Sequence, residues 1–227
     1  MRNLSLAVIV LFVCGCATTA YEPFIVEGFE ERTSQHETVA ILPFDVTIIM
    51  DELPEDQTEA DIAAQEQQEA NAYQQSLYGS LLQRSGEDGY RVTFQDVATT
   101  NTTLERADIA YRDINSSYTK AELCSLLGVD AVISGAISRS RPMGAGGAIA
   151  TAMITGILSG GVVTANPNTN RVNVAAMIHD GEGDEALWSY DRESGGGVGT
   201  SPESMIESLL AGIAATFPYV QQDNEEN

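Results

Sequence analysis

Hydrophobic and polar positions follow two different periods along this chain, and together they predict a mixed sheet with helices packed on it. Short apolar runs that end at a proline, an acid or a turn predict strands. Apolar residues that recur every three or four positions behind a capping residue predict helices. The predicted strands are 38–42, 90–94, 129–137, 172–178 and 186–190. The predicted helices are 58–86, 104–114, 119–127 and 201–217. The order β-α-β-α-α-β-(insert)-β-β-α is that of an α/β (α+β) fold of two or three layers.

Two of the predicted helices begin at capping boxes. Thr58 with Asp61 and Thr119 with Glu122 have the spacing at which side chain and backbone cap each other. In the first of these helices the apolar stripe starts only at Ala70. The acidic front of that long helix is therefore expected to be a solvated extension.

The run 129–137 is apolar on both faces, which predicts an interior strand covered on both sides. Cys124 lies in the helical pattern just before it, beside Leu123 and Leu127. We therefore expect Cys124 to be a buried apolar thiol behind a central strand.

The first sixteen residues form a leader, in which Arg2 precedes the mostly apolar run 4–13 and small residues lead into Cys16. The run is too short for a membrane-spanning helix and has the layout of a secretory signal. Val13-Cys14-Gly15-Cys16 resembles the bacterial lipobox. That resemblance implies palmitate at Cys16 and, because Ala17 rather than Asp follows, sorting to the periplasmic face of the outer membrane. The alternative is an ordinary signal peptide that is cut nearby.

The leader sets the predicted organisation of the chain. A lipoprotein signal peptide covers residues 1–15, and a polar tether that lifts the domain off the membrane covers 16–37. A single domain follows over 38–219, and a disordered polar tail covers 220–227.

The charge of the chain limits its partners. It has 33 acidic and 11 basic residues, for a formal net charge of −22. Such a surface repels nucleic acid and anionic lipid headgroups, so neither is an expected partner.

The sequence offers little for catalysis, cofactors or metals. Its two histidines are His36 in the tether and His179 at a strand end, where a solvated position is favoured over an acid–base pair with Asp180. No catalytic residue, cofactor or metal is therefore predicted. Asp180, Glu182 and Asp184 have the spacing of calcium-loop acids, but Glu185 stands where that loop needs glycine, which favours a plain acidic turn. The glycine-rich run 195–199 has no lysine and is interpreted as a connector.

The uncharged segment 142–170 is rich in glycine and alanine. Ala148, Ala152, Gly156 and Gly160 recur every four residues and predict a small-residue ridge on one helix face. A helix over 148–163 would span roughly 24 Å, less than the roughly 30 Å of a membrane core. Three alternatives remain for this insert: packing on its own domain, self-association through the ridge, and membrane insertion.

Four segments, in this order, resemble the envelope lipoproteins around CsgG, the TolB N-terminal domain and LpoB. They are Val39-Ala-Ile-Leu-Pro-Phe44, the helix end Leu81-Leu82, Leu127-Gly-Val-Asp-Ala-Val-Ile-Ser-Gly135 and Gly183-Asp-Glu-Ala-Leu-Trp188. The resemblance implies a sheet of that family over most of 38–217. Where the channel protein has its second membrane hairpin this chain has only 193–201, too short for two strands of about 9–11 residues, which argues against a pore of that type.

These observations favour a non-enzymatic, lipid-anchored periplasmic protein that recruits or assembles other cell-envelope proteins. The alternative is one subunit of an oligomeric outer-membrane secretion or export assembly, formed as a homo-oligomer through the insert. A hydrolase would need a convergent polar pocket, which the sequence does not indicate.

Overall fold

Strands and helices follow one another along the chain in an order close to the predicted one. The computed structural model describes residues 21–50, 53–86, 89–140, 170–183, 185–196 and 200–221. Within these ranges the strands are β1 (Phe24–Ile25), β2 (Thr38–Ile41), β3 (Asp45–Ile49), β4 (Thr93–Phe94), β5 (Ala131–Ser140), β6 (Asn170–Asp180) and β7 (Ala186–Gly196). The helices are α1 (Phe29–Arg32), α2 (Glu59–Ser85), α3 (Val97–Arg106), α4 (Lys120–Leu127) and α5 (Pro202–Ala215), and a single 3-10 turn covers Tyr111–Asp113.

The strands of the described residues form one mixed sheet in the order β1-β7-β6-β5-β2-β4, and β3 also pairs with β5. β5 runs parallel to β2 and to β3, which follow one another along the same side of it. On its other side β5 is antiparallel to β6, and β6 is antiparallel to β7. The predicted mixed sheet is confirmed, and β5, predicted from the apolar run 129–137, is a central strand.

Helices pack on both faces of the sheet. One face and the helices α2 and α5 share the larger hydrophobic core, to which Ile133, Ile178, Leu77 and Leu210 belong. On the other face α3 and α4 pack over β2 and the start of β5 in a smaller core. Cys124 is buried in that smaller core, as the apolar pattern of its helix predicted.

The segment 21–37, which the sequence predicted to be a tether, is folded onto the sheet. Its residues Phe24 and Ile25 form β1 and pair with the edge strand β7. Phe29 is buried in the larger core, and His36 hydrogen-bonds Tyr219 near the end of the chain. The few apolar residues of this polar stretch have no regular spacing, so the hydrophobic pattern did not predict this packing. The folded part therefore extends at least as far back as Tyr21.

Helix α2 begins at the predicted capping box. Thr58 Oγ1 accepts the Asp61 N–H at 3.2 Å, and Asp61 Oδ2 accepts the Thr58 N–H at 2.8 Å. The front of this helix is not only a solvated extension, because Glu66 Oε1 accepts the Ile48 N–H of β3 at 3.1 Å. The first turns of α2 thus lie beside an edge strand that the sequence had not predicted.

Helix α3 begins seven residues earlier, and ends eight residues earlier, than the helix predicted at 104–114. It begins at Asp96, whose side chain accepts two backbone N–H groups of the first turn. It ends where Asp108 takes a positive φ of 58° and the Ile109 N–H bonds the Leu104 carbonyl at 3.1 Å. Threonine is the commonest residue of this helix, so its apolar stripe is weak. The more strongly apolar positions that follow it led the sequence pattern to predict a helix there instead.

The two ends of the sheet also differ in detail from the prediction. Only Thr93–Phe94 of the predicted strand 90–94 pairs in the sheet, while Tyr90 forms a separate bridge with Val220. The predicted disordered tail thus begins with a paired residue, and 222–227 lie outside the described residues. β7 extends to Gly196, so the glycine-rich connector begins inside a strand.

A buried ion pair joins α2 to the end of β5. Arg139 donates from Nε to Glu69 Oε2 at 2.9 Å and from Nη2 to Oε1 at 2.5 Å. Burial alone would raise the pKa of Glu69, but hydrogen bonds from Arg139 and Gln65 outweigh it and lower that pKa. The pair links the middle of α2 to the end of β5.

Gly135 allows the bend after β2 to pack closely on β5. A Cβ at this position would meet the buried ring of Phe44 and would lie 2.8 Å from the Ala175 carbonyl oxygen of β6. The strand motif needs glycine at position 135, because any side chain there would block the close approach of the two neighbouring segments.

Candidate functional site

A groove runs between the outer edge of β3 and the first turns of α2. It has a volume of about 640 Å³. Its apolar lining comes from both elements and from the segment between them: Val46, Ile48, Met50, Leu53, Ile62 and Ala63. Tyr111 and Arg112 of the 3-10 turn also line the groove. We define these residues, together with Asp45, Thr47, Glu59 and Glu66, as the β3–α2 groove.

Side chains occupy the strand edge that faces this groove. Tyr111 Oη accepts the Val46 N–H at 2.7 Å and donates to the Phe44 carbonyl at 2.8 Å. Glu66 accepts a hydrogen bond from the Ile48 N–H, which points outward from the same edge of β3. Burial raises the pKa of Tyr111 to about 12, so its hydroxyl remains a donor at neutral pH. Blocking edge donors in this way protects β3 from unplanned strand pairing.

The rim of the groove is acidic. Asp45, Glu59 and Glu66 face a single cation, Arg112, whose Nη2 donates to Glu66 Oε2 at 3.1 Å. Arg112 is largely exposed, so this pair contributes little to stability. An apolar floor with an excess of carboxylates at its rim fits an apolar side chain next to a cationic one.

A second polar cluster joins four segments that are distant in the sequence. His36 Nδ1 lies 2.7 Å from Tyr219 Oη, and His36 Nε2 lies 3.7 Å from Asp180 Oδ1. Burial lowers the pKa of His36, outweighing the opposite effect of Asp180 and Asp130. The Arg91 guanidinium lies 4.8 Å from the centre of the Tyr219 ring. We call His36, Arg91, Asp180 and Tyr219 the clasp. His36, which the sequence placed in a polar tether, is therefore part of a largely buried cluster.

The predicted site residues are not among those that the structure describes. Cys16 and the ridge of Ala148, Ala152, Gly156 and Gly160 lie outside the described residues.

The acidic turn after β6 behaves as a turn. His179 Nε2 lies 3.0 Å from Ser134 Oγ, so the ring faces β5. Asp180 Oδ1 accepts the Glu182 N–H at 2.9 Å, while Asp184 lies outside the described residues. In the part of the chain that the structure describes, no three His, Cys, Asp or Glu side chains are placed to hold a metal ion.

Sequence reasoning missed the groove. The signal that could have found it is the run Asp45–Ile49, where buried and exposed positions alternate directly after Pro43. Tyr111 and Glu66 carried no such signal, because their partners are backbone groups of a strand far away in the sequence.

Comparison with known proteins gives loose structural likenesses. No family model matches the chain, and no curated protein matches it. Among the described residues no helix is long and apolar enough to cross a bilayer.

Solved structures with a similar path of the chain share little sequence with it. A lipoprotein from Neisseria meningitidis has 13% identity and a TM-score of 0.44, over 79% of this chain and 96% of that one. The PelC dodecamer from Paraburkholderia phytofirmans has 13% identity and a TM-score of 0.40, over 82% and 90%. The LpoB C-terminal domain from Salmonella enterica has 10% identity and a TM-score of 0.33, over 73% and 91%. Scores below 0.5 assign no function to this chain, and its resemblance to CsgG and TolB stays a prediction.

Proposed function

We propose that this chain is a lipid-anchored protein on the periplasmic face of the outer membrane that recruits or assembles other cell-envelope proteins without catalysing a reaction. The observation that carries the proposal is the β3–α2 groove, in which an apolar floor follows a strand edge beneath an acidic rim. Concave surfaces of this kind bind one or two protruding side chains of a partner.

The chemistry of the groove indicates the partner's side of the contact. An apolar side chain would fill the space over Ile62 and Ala63, and a neighbouring lysine or arginine would meet Glu59 and Asp45. The net charge of −22 would speed the approach of a cationic partner at low salt. The lipobox at Cys16 supports a location at the membrane, where such a partner would be held nearby.

Filling the groove tests this proposal. Ala63→Trp places a large ring in the groove, whereas Ala64→Trp places it one residue further along α2, on an exposed position outside the lining. Both variants are purified from the native envelope after cross-linking. We expect Ala63→Trp to lose proteins that co-purify with the wild type, and Ala64→Trp to keep them.

The same preparation separates the two functions. A native mass that fits a closed ring of identical subunits, unchanged by Ala63→Trp, would favour the alternative, a subunit of an oligomeric secretion or export assembly. Equal loss or equal retention of partners in both variants would contradict docking in the groove.

The anchor is tested by Cys16→Ala. We expect this variant to stay uncleaved or to leave the membrane fraction, because the acyl chains that hold it are attached at this cysteine. The measurement is metabolic labelling with palmitate together with flotation of membranes. Label that persists in Cys16→Ala would show that the lipobox prediction is wrong.

A further inference from the structure

The edge of the sheet formed by β1 carries two large apolar side chains that face solvent. Phe24 is 57% exposed and Ile25 is 47% exposed. The rest of the N-terminal edge is held firmly: Tyr21 packs edge-to-face on Tyr190 with ring centres 5.1 Å apart, and its hydroxyl accepts the Asp191 N–H at 2.8 Å. Consecutive side chains of a strand point to opposite faces, so Phe24 and Ile25 flank the β1 edge on its two sides from a fixed position.

This edge lies close to the predicted anchor. Only residues 17–20 separate Cys16 from Tyr21. Five consecutive Cα–Cα steps of extended chain span at most about 18 Å. With acyl chains on Cys16, as the proposed function requires, Tyr21 is held within that distance of the lipid surface, and β1 begins three residues after it.

We propose that the β1 edge docks on the membrane, with Phe24 and Ile25 in the boundary between headgroups and acyl chains. Burying apolar side chains at this depth is favourable, and it adds a second contact to the lipid anchor. The neighbouring Glu22 and Glu27 are exposed and acidic, so the contact is apolar and suits zwitterionic rather than anionic lipid.

Docking on this edge sets the height of the β3–α2 groove. From β1 the sheet proceeds through β7, β6 and β5 to β3. Four strand spacings amount to roughly 19 Å. A sheet that stands on its β1 edge thus keeps the groove off the membrane and open to the periplasm.

Tryptophan reporters in the full-length lipoprotein test the docking. Ile25→Trp and Phe24→Trp are compared with Ile49→Trp, a matched control because Ile49 is 54% exposed on β3 of the same sheet. The proteins are reconstituted in phosphatidylcholine vesicles whose acyl chains are brominated. The native Trp188 is buried but pairs with Ile25 across β1 and β7, so the wild type in the same vesicles supplies the quenching of Trp188 that is subtracted from each variant. All three sites are exposed, and Phe24→Trp exchanges one aromatic ring for another, so folding is not at risk.

We expect a blue shift and strong quenching for Trp at 24 and 25, and neither effect at 49. Quenching should persist at high salt, because the contact is apolar. A protein that floats with the vesicles but shows no quenching at 24 or 25 overturns the docking and leaves the anchor intact. Equal quenching at 49 overturns it as well, since the domain would then lie flat. A protein that does not float contradicts the proposed anchor itself.

Discussion

Single side chains tie the beginning and the end of the folded chain together. His36 contacts Tyr219, and Arg91 donates to the Thr33 carbonyl at 2.6 Å while its guanidinium lies over the Tyr219 ring. Tyr219 is fully buried, and burial raises the pKa of its hydroxyl far above the usual range. The clasp therefore depends on a neutral tyrosine and a neutral histidine.

The protonation of His36 should make stability depend on pH. Its pKa in the folded protein is lowered from 6.5, so the unfolded chain binds the proton more readily. This contribution is complete above about pH 6.5 and is lost as the pH falls from there through the lower folded pKa. We expect the free energy of unfolding, measured by urea titration, to fall between pH 7.5 and 5.5.

His36→Gln is the control for that pH dependence. Glutamine still offers a polar partner to Tyr219 but does not titrate, so the fall should become shallower. An unchanged slope in His36→Gln would assign the dependence to other groups.

The thiol of Cys124 should be protected in the folded protein. It lies on the buried side of α4, next to the exposed Ser125. A thiol reagent should label Cys124 only after unfolding, because the thiolate must reach solvent to react. In a Ser125→Cys variant the new thiol should react at once in the native state. Rapid labelling of native wild type would contradict the burial of this face of α4.

At the scale of elements, α2 serves two surfaces. Its later turns bury Leu77 and Leu81 in the larger core, whereas its first turns line the β3–α2 groove. The Glu69–Arg139 pair lies between these two parts. The position of the groove wall thus depends on an ion pair that is not part of the groove lining.

Breaking this pair should destabilise the fold. Arg139→Met leaves the Glu69 carboxylate in a largely buried place without its bidentate partner, at a cost of about 3 kcal/mol. The double variant Glu69→Leu/Arg139→Met should recover most of that loss, because no unpaired charge remains. Denaturant unfolding of the two variants and the wild type measures both differences. A double variant no more stable than Arg139→Met would show that packing, not charge, is what the substitution removes.

The sequence predicts those elements that carry a long or uniform apolar signal. β2, β5 and α5 were predicted for this reason, and the capping boxes located the starts of α2 and α4. Shorter or mixed elements escaped. β1 has two residues, and its packing depends on β7, more than 160 residues later. β3 alternates over only five residues. The alternation in Asp45–Ile49 could have indicated β3, but the groove also depends on where α2 and the 3-10 turn meet that strand, which no local pattern encodes.

At the scale of the whole molecule, the charge and the insert bear on assembly. A net charge of −22 opposes the approach of identical copies unless an uncharged surface mediates the contact. The uncharged insert after β5 is the segment whose sequence offers such a surface, through the ridge of Ala148, Ala152, Gly156 and Gly160.

Gly156→Leu tests that ridge. A leucine there would push a partner backbone away, since close approach depends on the missing side chain. If the ridge mediates self-association, the native mass falls while the domain stays folded. Thr155→Leu, one residue off the ridge, should leave the mass unchanged. An unchanged mass with a loss of about 1–3 kcal/mol of stability would instead mean that the insert packs on its own domain.

The two-residue pairing of β1 has a mechanical consequence. With the proposed lipid on Cys16, a pull on the anchor reaches the contacts of Tyr21 and then β1, and the few hydrogen bonds of this short strand can break one after another. Detaching residues 21–37 would release seventeen residues, or about 60 Å of extended chain. The clasp of His36 with Tyr219 resists the last part of that extension. The segment next to the proposed anchor would therefore extend first, with Phe29 leaving the larger core, before the strands β2 to β7 are pulled apart.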